Sequence, residues 1–453
     1  MICDHQEEVI YNSYALNFNF KWSCLDPSTW LNVAILVAPL RLFVLGSVGS
    51  FNVSFFRICL LLVWGTYLLN MFWVKKIRLL KGGRNVAILT VLMFVMTLMS
   101  VLYSPNLILG DSLTRFLVKS LGWLWVITII FVVQRKDAIK MHVRYFVLSS
   151  FVPMIFGWCQ TISYYFFGNA LTIFSHLAVK NAELSGVQYS SYFRPSGTFL
   201  EPNYYGMFLS MVTVIILANI FFANQRILSR YLSYLILASA IVQLITTTSL
   251  SAFIGFGFGC AIILLLYLKN ITIRSSVMIP IVVMLFLSFL SLRSPFLYNN
   301  IFAGIKLKLI MRSKQTVDMF GRKKYFEALP QVLEDSLGIG VGYGGLSKYV
   351  DDPISTMHSA YLTVLGEQGF LSFSLLLLLT VSICRRLVKR SKQMGVIAIG
   401  LVAAFISLVM GNLGYDAMFS FDASWTLIGL AAATASLPIR IGGNNDKQYC
   451  SYN

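Results

Sequence analysis

An all-α polytopic membrane protein with about 12 transmembrane helices is predicted by three features of this sequence. Hydrophobic residues make up 57% and charged residues 12% of it, against roughly a quarter charged in soluble domains. The mean hydropathy is +0.74. Apolar runs recur from Leu31 to Leu437 with no polar stretch long enough for a separate soluble domain, so lipid is where that apolar surface can be buried.

A spanning helix needs about 20 mostly apolar residues. In order, the runs that qualify are 31–48, 52–73, 85–103, 116–133, 145–167, 204–222, 231–248, 252–268, 277–292, 361–383, 395–410 and 425–437. They divide the chain into a terminal segment 1–30, helices 1–9 within 31–292, a large connection 293–360 between helices 9 and 10, helices 10–12 within 361–437, and a tail 438–453. The first segment carries Asp4, Glu7 and Glu8 and lacks the basic and apolar regions of a cleavable signal, so the first helix is expected to direct insertion.

The formal charge of +18 would suggest nucleic acid in a soluble protein, but here Lys and Arg fall mostly in short connections, and no nucleic-acid partner is expected. Lys75, Lys76, Arg78, Lys81 and Arg84 follow the second run, and Arg135, Lys136, Lys140 and Arg144 follow the fourth. The alternation continues at Arg226 and Arg230, at Lys269 and Arg274, and at Arg385, Arg386, Lys389, Arg390 and Lys392. Basic loops stay in the cytoplasm, so both termini are expected inside and the connections 168–203, 246–251 and 293–360 outside. The last is itself basic, with Arg293, Arg322 and Lys348 among its cations, and long loops cross whatever their charge.

Seven cysteines are scattered without a CxxC or a ligand spacing, so neither disulfides nor a metal site is expected. Four cations, Arg41, Arg57, Arg115 and Lys119, lie in the outer halves of their runs, where each costs about 2.5–3.5 kcal/mol. Arg115 and Lys119 are four apart and share a helical face. They suggest a membrane-level cavity for an anion, or side chains reaching lipid phosphates.

Three motifs carry chemistry. Arg194-Pro-Ser-Gly-Thr-Phe-Leu-Glu-Pro-Asn-Tyr-Tyr-Gly206 leads into the sixth run, with Pro202 and Asn203 starting a helix and Asn203 a candidate N-cap. Gly321-Arg322 precedes Gly338-Ile-Gly-Val-Gly-Tyr-Gly-Gly345, whose amides around Gly340 and Gly342 suit an anion-binding nest or a plain flexible loop. His358-Ser-Ala-Tyr361-Leu362, followed by Glu367 and Gly369, opens the tenth run, and a histidine there can take a proton near neutral pH.

In order and sidedness these motifs, from Arg194 to Gly369, resemble the O-antigen polymerase and O-antigen ligase family, Wzy-type polysaccharide polymerases most of all. The resemblance implies a metal-independent glycosyltransferase without cofactor, acting on undecaprenyl-pyrophosphate-linked oligosaccharides at the outer face of a bacterial plasma membrane. Arg194 and Arg322 would then bind the pyrophosphate, and His358 would deprotonate the acceptor hydroxyl or hold the leaving phosphate. Arg57, Arg115, Lys119, Asn203, Gly340, Gly342, Tyr361 and Glu367 are the further substrate contacts expected. Membrane lipid and a chain-length regulator are the implied partners.

The chain departs from that pattern twice: Ser359 stands where many members have Asn, and Ser249-Leu250 where many have Ser-Arg. Sugar specificity is expected in 168–192 and 293–319. A ligase passing the glycan to lipid A core would share the donor chemistry. From another class, a flippase for lipid-linked oligosaccharides would suit a dozen helices with inward cations, although no internal repeat is visible.

Overall fold

A computed structural model of the chain describes residues 26–40, 44–48, 51–74, 84–104, 111–167, 187–189, 192–222, 226–268, 323–350, 359–416 and 418–437. The first helix, α1 (Pro27–Val37), opens with Pro27 at a position that needs no amide, while Asp26 Oδ1 accepts the Ser28 amide at 3.0 Å. It stops short of Pro39, which cannot donate to a continuing helix. Two strands follow, β1 (Val44–Val48) and β2 (Phe51–Ser54), paired antiparallel. The expected span 31–48 is therefore not one helix: α1 has 11 residues and reaches about 16 Å, half of a hydrocarbon core of about 30 Å.

Three helices then fall close to their predicted runs: α2 (Phe55–Val74), α3 (Arg84–Met99, extended by a 3₁₀ turn Ser100–Tyr103) and α4 (Asp111–Val132). The predicted run 145–167 begins earlier, as α5 (Lys136–Leu148), and resumes after Ser149 and Ser150 as α6 (Phe151–Phe167). Each serine hydroxyl donates to a carbonyl three residues back at 2.7 Å, and Pro153 falls in the first turn of α6, where its missing amide costs nothing. A hairpin of β3 (Val187–Tyr189) and β4 (Tyr192–Arg194) precedes α7 (Pro202–Phe221), α8 (Arg230–Thr247) and α9 (Leu250–Leu268). The predicted ninth run, 277–292, lies outside the described residues. The order closes with α10 (Lys323–Asp335), a 3₁₀ turn Gly345–Lys348, α11 (Ala360–Met394), α12 (Val396–Gly411) and α13 (Asp422–Ser436).

Seven helices among the described residues are long and apolar enough to cross a membrane: Arg84–Tyr103, Ser112–Val132, Lys136–Tyr164, Pro202–Phe221, Arg230–Thr247, Leu250–Tyr267 and Ala360–Met394. The protein is an α-helical, membrane-embedded one. Its centre is α7, packed on α8, α9 and α12. Within the membrane-crossing window, 83% of α7 is buried but only 22% of α9. Accordingly α9 turns Phe258, Leu264 and Leu265 outward, the pattern a lipid-facing helix requires. It meets α12 through small residues, for a Cβ on Gly255 would stand 2.3 Å from the Ser407 carbonyl oxygen.

The two ends of the bundle differ in charge. At one end Lys136 Nζ donates to the Gln393 carbonyl at 2.9 Å, joining the start of α5 to the end of α11. Arg135, Lys140, Arg144, Arg226, Arg230, Arg385, Arg386, Lys389 and Lys392 belong to the same helix ends. The opposite end gathers the ends of α3, α8 and α12, the starts of α4, α7 and α11, and the glycine run.

Candidate functional site

Two buried polar groups form at this second end, and both draw on the motif residues. The first is built around Arg194, the last residue of β4, which is 4% exposed. Its Nε donates to the Thr247 carbonyl at 2.6 Å and its Nη2 to Asn203 Oδ1 at 2.8 Å. That carbonyl is available because α8 ends there, at Thr248 in the left-handed region (φ 47). A cation at a helix C-terminus is also favoured by the helix dipole.

The residues after Arg194 form a fully bonded turn. Gln160 Oε1 accepts the amides of Ser196 and Gly197 at 3.0 and 2.9 Å, and the Thr198 hydroxyl donates to the Pro39 carbonyl at 2.7 Å. The N-cap of α7 is Glu201, followed by Pro202, and not Asn203 as expected. Proline at the first helical position moves the boundary back by two residues and leaves the Asn203 side chain free to hold Arg194.

Glu201 and Asn203 both bond the hydroxyl of Tyr415, just past the end of α12. Burial, with Tyr204 and Glu201 nearby, pushes that hydroxyl well above the ordinary tyrosine range, so it remains a donor to Glu201. The Tyr204 and Tyr415 rings stand 5.5 Å apart.

The second group is built around Glu367 on α11. Its Oε2 lies 2.6 Å from Lys119 Nζ and its Oε1 3.3 Å from Arg115 Nη1, both on α4. Lys119 also sits 5.0 Å above the ring of Tyr343, whose hydroxyl accepts from Gln368 Nε2 at 2.9 Å. Asp416 completes the group, bonded by Thr363 and within electrostatic reach of Lys119, Glu367 and Arg115. Burial holds its carboxyl above the usual range, and Lys119 opposes this.

Arg115 and Lys119, expected to line an anion cavity, both pair with the Glu367 carboxylate, and Asp416 lies beside them. Buried cations are tolerated where such partners compensate them.

The glycine run is corrected, because its amides do not line an open nest. Val341 N donates to the Gly366 carbonyl and Gly342 N to the Glu367 carbonyl, each at 2.9 Å, while Tyr343 N donates to Ser104 Oγ at 2.8 Å. These carbonyls are free because α11 is interrupted at Gly369 (φ 79, ψ −178). Phe370 N, beyond the break, donates to the Gly338 carbonyl at 2.9 Å. Side chains are excluded by contact: a Cβ on Gly340 would lie 2.5 Å from Gly369 N, and one on Gly369 would lie 2.2 Å from the Ile339 carbonyl oxygen.

Tyr361 is spent on packing, its hydroxyl donating to the Val409 carbonyl at 3.0 Å. Arg57 lies on α2 beside Phe56, whose ring meets Trp125 at 5.2 Å. Arg322 and His358 fall outside the described residues.

The link between the two groups was missed in the sequence. Tyr415 belongs to the first and Asp416 to the second, and they are neighbours in the connection between α12 and α13. Asn412 shapes that connection, accepting the Met418 amide on Oδ1 at 2.6 Å. The available signal was Gly411-Asn-Leu-Gly-Tyr-Asp416, a polar stretch between two apolar helices. Fold and site together define a polytopic α-helical membrane protein with a charged, buried site at one end of its bundle. No protein-family model matches the chain, and no curated protein matches it in sequence.

Proposed function

We propose that this protein is a polymerase of surface polysaccharide, O-antigen, capsule or exopolysaccharide, that transfers an undecaprenyl-pyrophosphate-linked glycan to a new lipid-linked repeat unit. The observation that supports it best is the convergence of Arg194, Asn203, Glu201, Tyr415 and Asp416 at the bundle end away from the basic rim. By the positive-inside rule that rim is cytoplasmic and the site faces outward. In this reading the chain crosses a bacterial plasma membrane about 12 times, with both termini inside and 293–360 as the large outer connection.

The acceptor hydroxyl attacks the anomeric carbon, the bond from that carbon to the pyrophosphate oxygen breaks, and the hydroxyl proton passes to a base. Arg194 would meet the pyrophosphate, where each charge-assisted hydrogen bond contributes about 1.5–3 kcal/mol and matters most as negative charge grows on the leaving group. Arg322 is assigned the same task and His358 that of the base, both on the strength of the motif order. A positioned base supplies on the order of 10²–10⁴ in rate.

The break in α11 at Gly369, beside a buried ion pair, favours a carrier of lipid-linked oligosaccharide as the second reading, since discontinuous helices with intramembrane charges are features of transport. One experiment separates the two. Purified protein is incubated with the lipid-linked repeat units that accumulate in cells lacking it, with a metal chelator throughout, and Arg194→Ala, Arg322→Ala and His358→Ala are run in parallel. A ladder of longer lipid-linked glycans that the variants lose supports the polymerase. No ladder, with movement of the same lipid across proteoliposome membranes, makes the protein a carrier.

A further inference from the structure

At the opposite, basic end, Arg390 is 1% exposed, yet among the described residues its Nε and Nη2 have no hydrogen-bond partner. It lies on the inward stripe of α11, in line with the buried Leu376, Leu379, Ile383, Leu387 and Met394. Among the described residues no carboxylate forms an ion pair with it. A buried guanidinium left this way is costly.

Its surroundings are positive. Arg386, one turn back on the same face, lies within electrostatic reach of it. Lys136 reaches the Gln393 carbonyl at 2.9 Å, which brings the N-terminal end of α5 alongside, with Asp137 as the acid of its first turn. That helix end adds partial positive charge.

Nε and Nη2 form one edge of the guanidinium, two parallel N–H groups spaced for two oxygens of one anion. Arg390 lies seven residues beyond the end of the apolar run 361–383, about 10 Å along the helix, where a run of that length meets the lipid headgroups. Phosphate is the anion that a membrane supplies there. We infer that Arg390, with Arg386 beside it, forms a phosphate-binding site between α11 and its neighbours at the basic end, taking an anionic lipid headgroup or free phosphate. The site is separate from the proposed transfer site and does not depend on that activity.

The test uses full-length protein in dodecyl maltoside, a detergent without phosphate, with phosphatidylglycerol, diacylglycerol or inorganic phosphate added in separate arms. Melting temperature and the lipid retained in native mass spectrometry are read for wild type, Arg390→Lys and Arg390→Met. Phosphatidylglycerol is expected to raise the wild-type melting temperature and to be retained at least about tenfold better than by Arg390→Met, with Arg390→Lys between. The same rise with inorganic phosphate alone would make free phosphate the ligand of the same site. If wild type responds equally to phosphatidylglycerol and diacylglycerol, and not to phosphate, the inference is overturned; that comparison stands even where Arg390→Met does not fold.

Discussion

Lys119 Nζ lies 2.6 Å from Glu367 Oε2, while the carbonyl oxygen of the same Glu367 accepts the Gly342 amide at 2.9 Å. One residue therefore ties α4, α11 and the glycine run together, by side chain on one side and by backbone on the other. Its carboxylate compensates Lys119 and Arg115, and the helix break two residues later frees its carbonyl.

Removing only the carboxylate leaves Lys119 buried, and Arg115 half-buried, without the Glu367 charge. Glu367→Gln is expected to lower stability by about 3–5 kcal/mol, and Lys119→Met placed on top of it should recover part of that loss. Denaturant unfolding in detergent of the two single variants and the double measures the coupling. Strictly additive losses would show that the pair does not act as a unit.

Gly369 holds the break open. A side chain there pays about 1–3 kcal/mol for its backbone conformation alone, before the contact at 2.2 Å with the Ile339 carbonyl oxygen. Gly369→Ala should loosen the glycine run and speed tryptic cleavage at the exposed Lys348. Gly257→Ala is the control, because a Cβ there meets nothing within 4 Å, and it should leave the cleavage rate unchanged.

Arg194 bonds two acceptors that diverge, a helix-end carbonyl and an amide side chain. A lysine has one nitrogen and cannot reproduce this fork. Arg194→Lys is accordingly expected to lose glycan-ladder formation by at least about tenfold, nearly as much as Arg194→Ala, and Asn203→Ala to lose less. Full activity in Arg194→Lys would remove the fork from the mechanism.

Asp416 titrates above an ordinary aspartate because burial disfavours its charged form, with Lys119 pulling the other way. The folded protein then binds this proton more tightly than the unfolded chain. Stability is expected to fall as pH rises from the unfolded value, about 3.9, through the folded one. Asp416→Asn should flatten that slope and be the more stable protein at neutral pH. Unfolding of both across pH 4 to 7 checks it, and parallel curves would contradict the assignment.

The class of protein, most helix positions and the charge asymmetry were legible in the sequence, because each depends on local quantities: apolar runs as long as a bilayer is thick, and cations where runs end. Pro39, the Ser149-Ser150 pair and Gly369 interrupt helices that hydropathy alone draws as continuous, since hydropathy does not register which amide has a partner. Arg194 and Asn203 stood in one motif with separate expected parts, and only the fold joins them, through the bond from Arg194 Nη2 to Asn203 Oδ1.

Tertiary structure alone decided what the other polar residues face. Arg115 and Lys119 suggested an open anion site, but Glu367, some 250 residues away in the chain, occupies them, and the glycine amides are spent on the carbonyls that Gly369 exposes. Tyr415 and Asp416 carried no motif, and only the packing of α12 and α13 on the remaining helices brings them between the two groups. Hydropathy sums over neighbours in sequence, whereas the pairing of a buried charge depends on which distant residue the packed bundle places within a few ångströms of it.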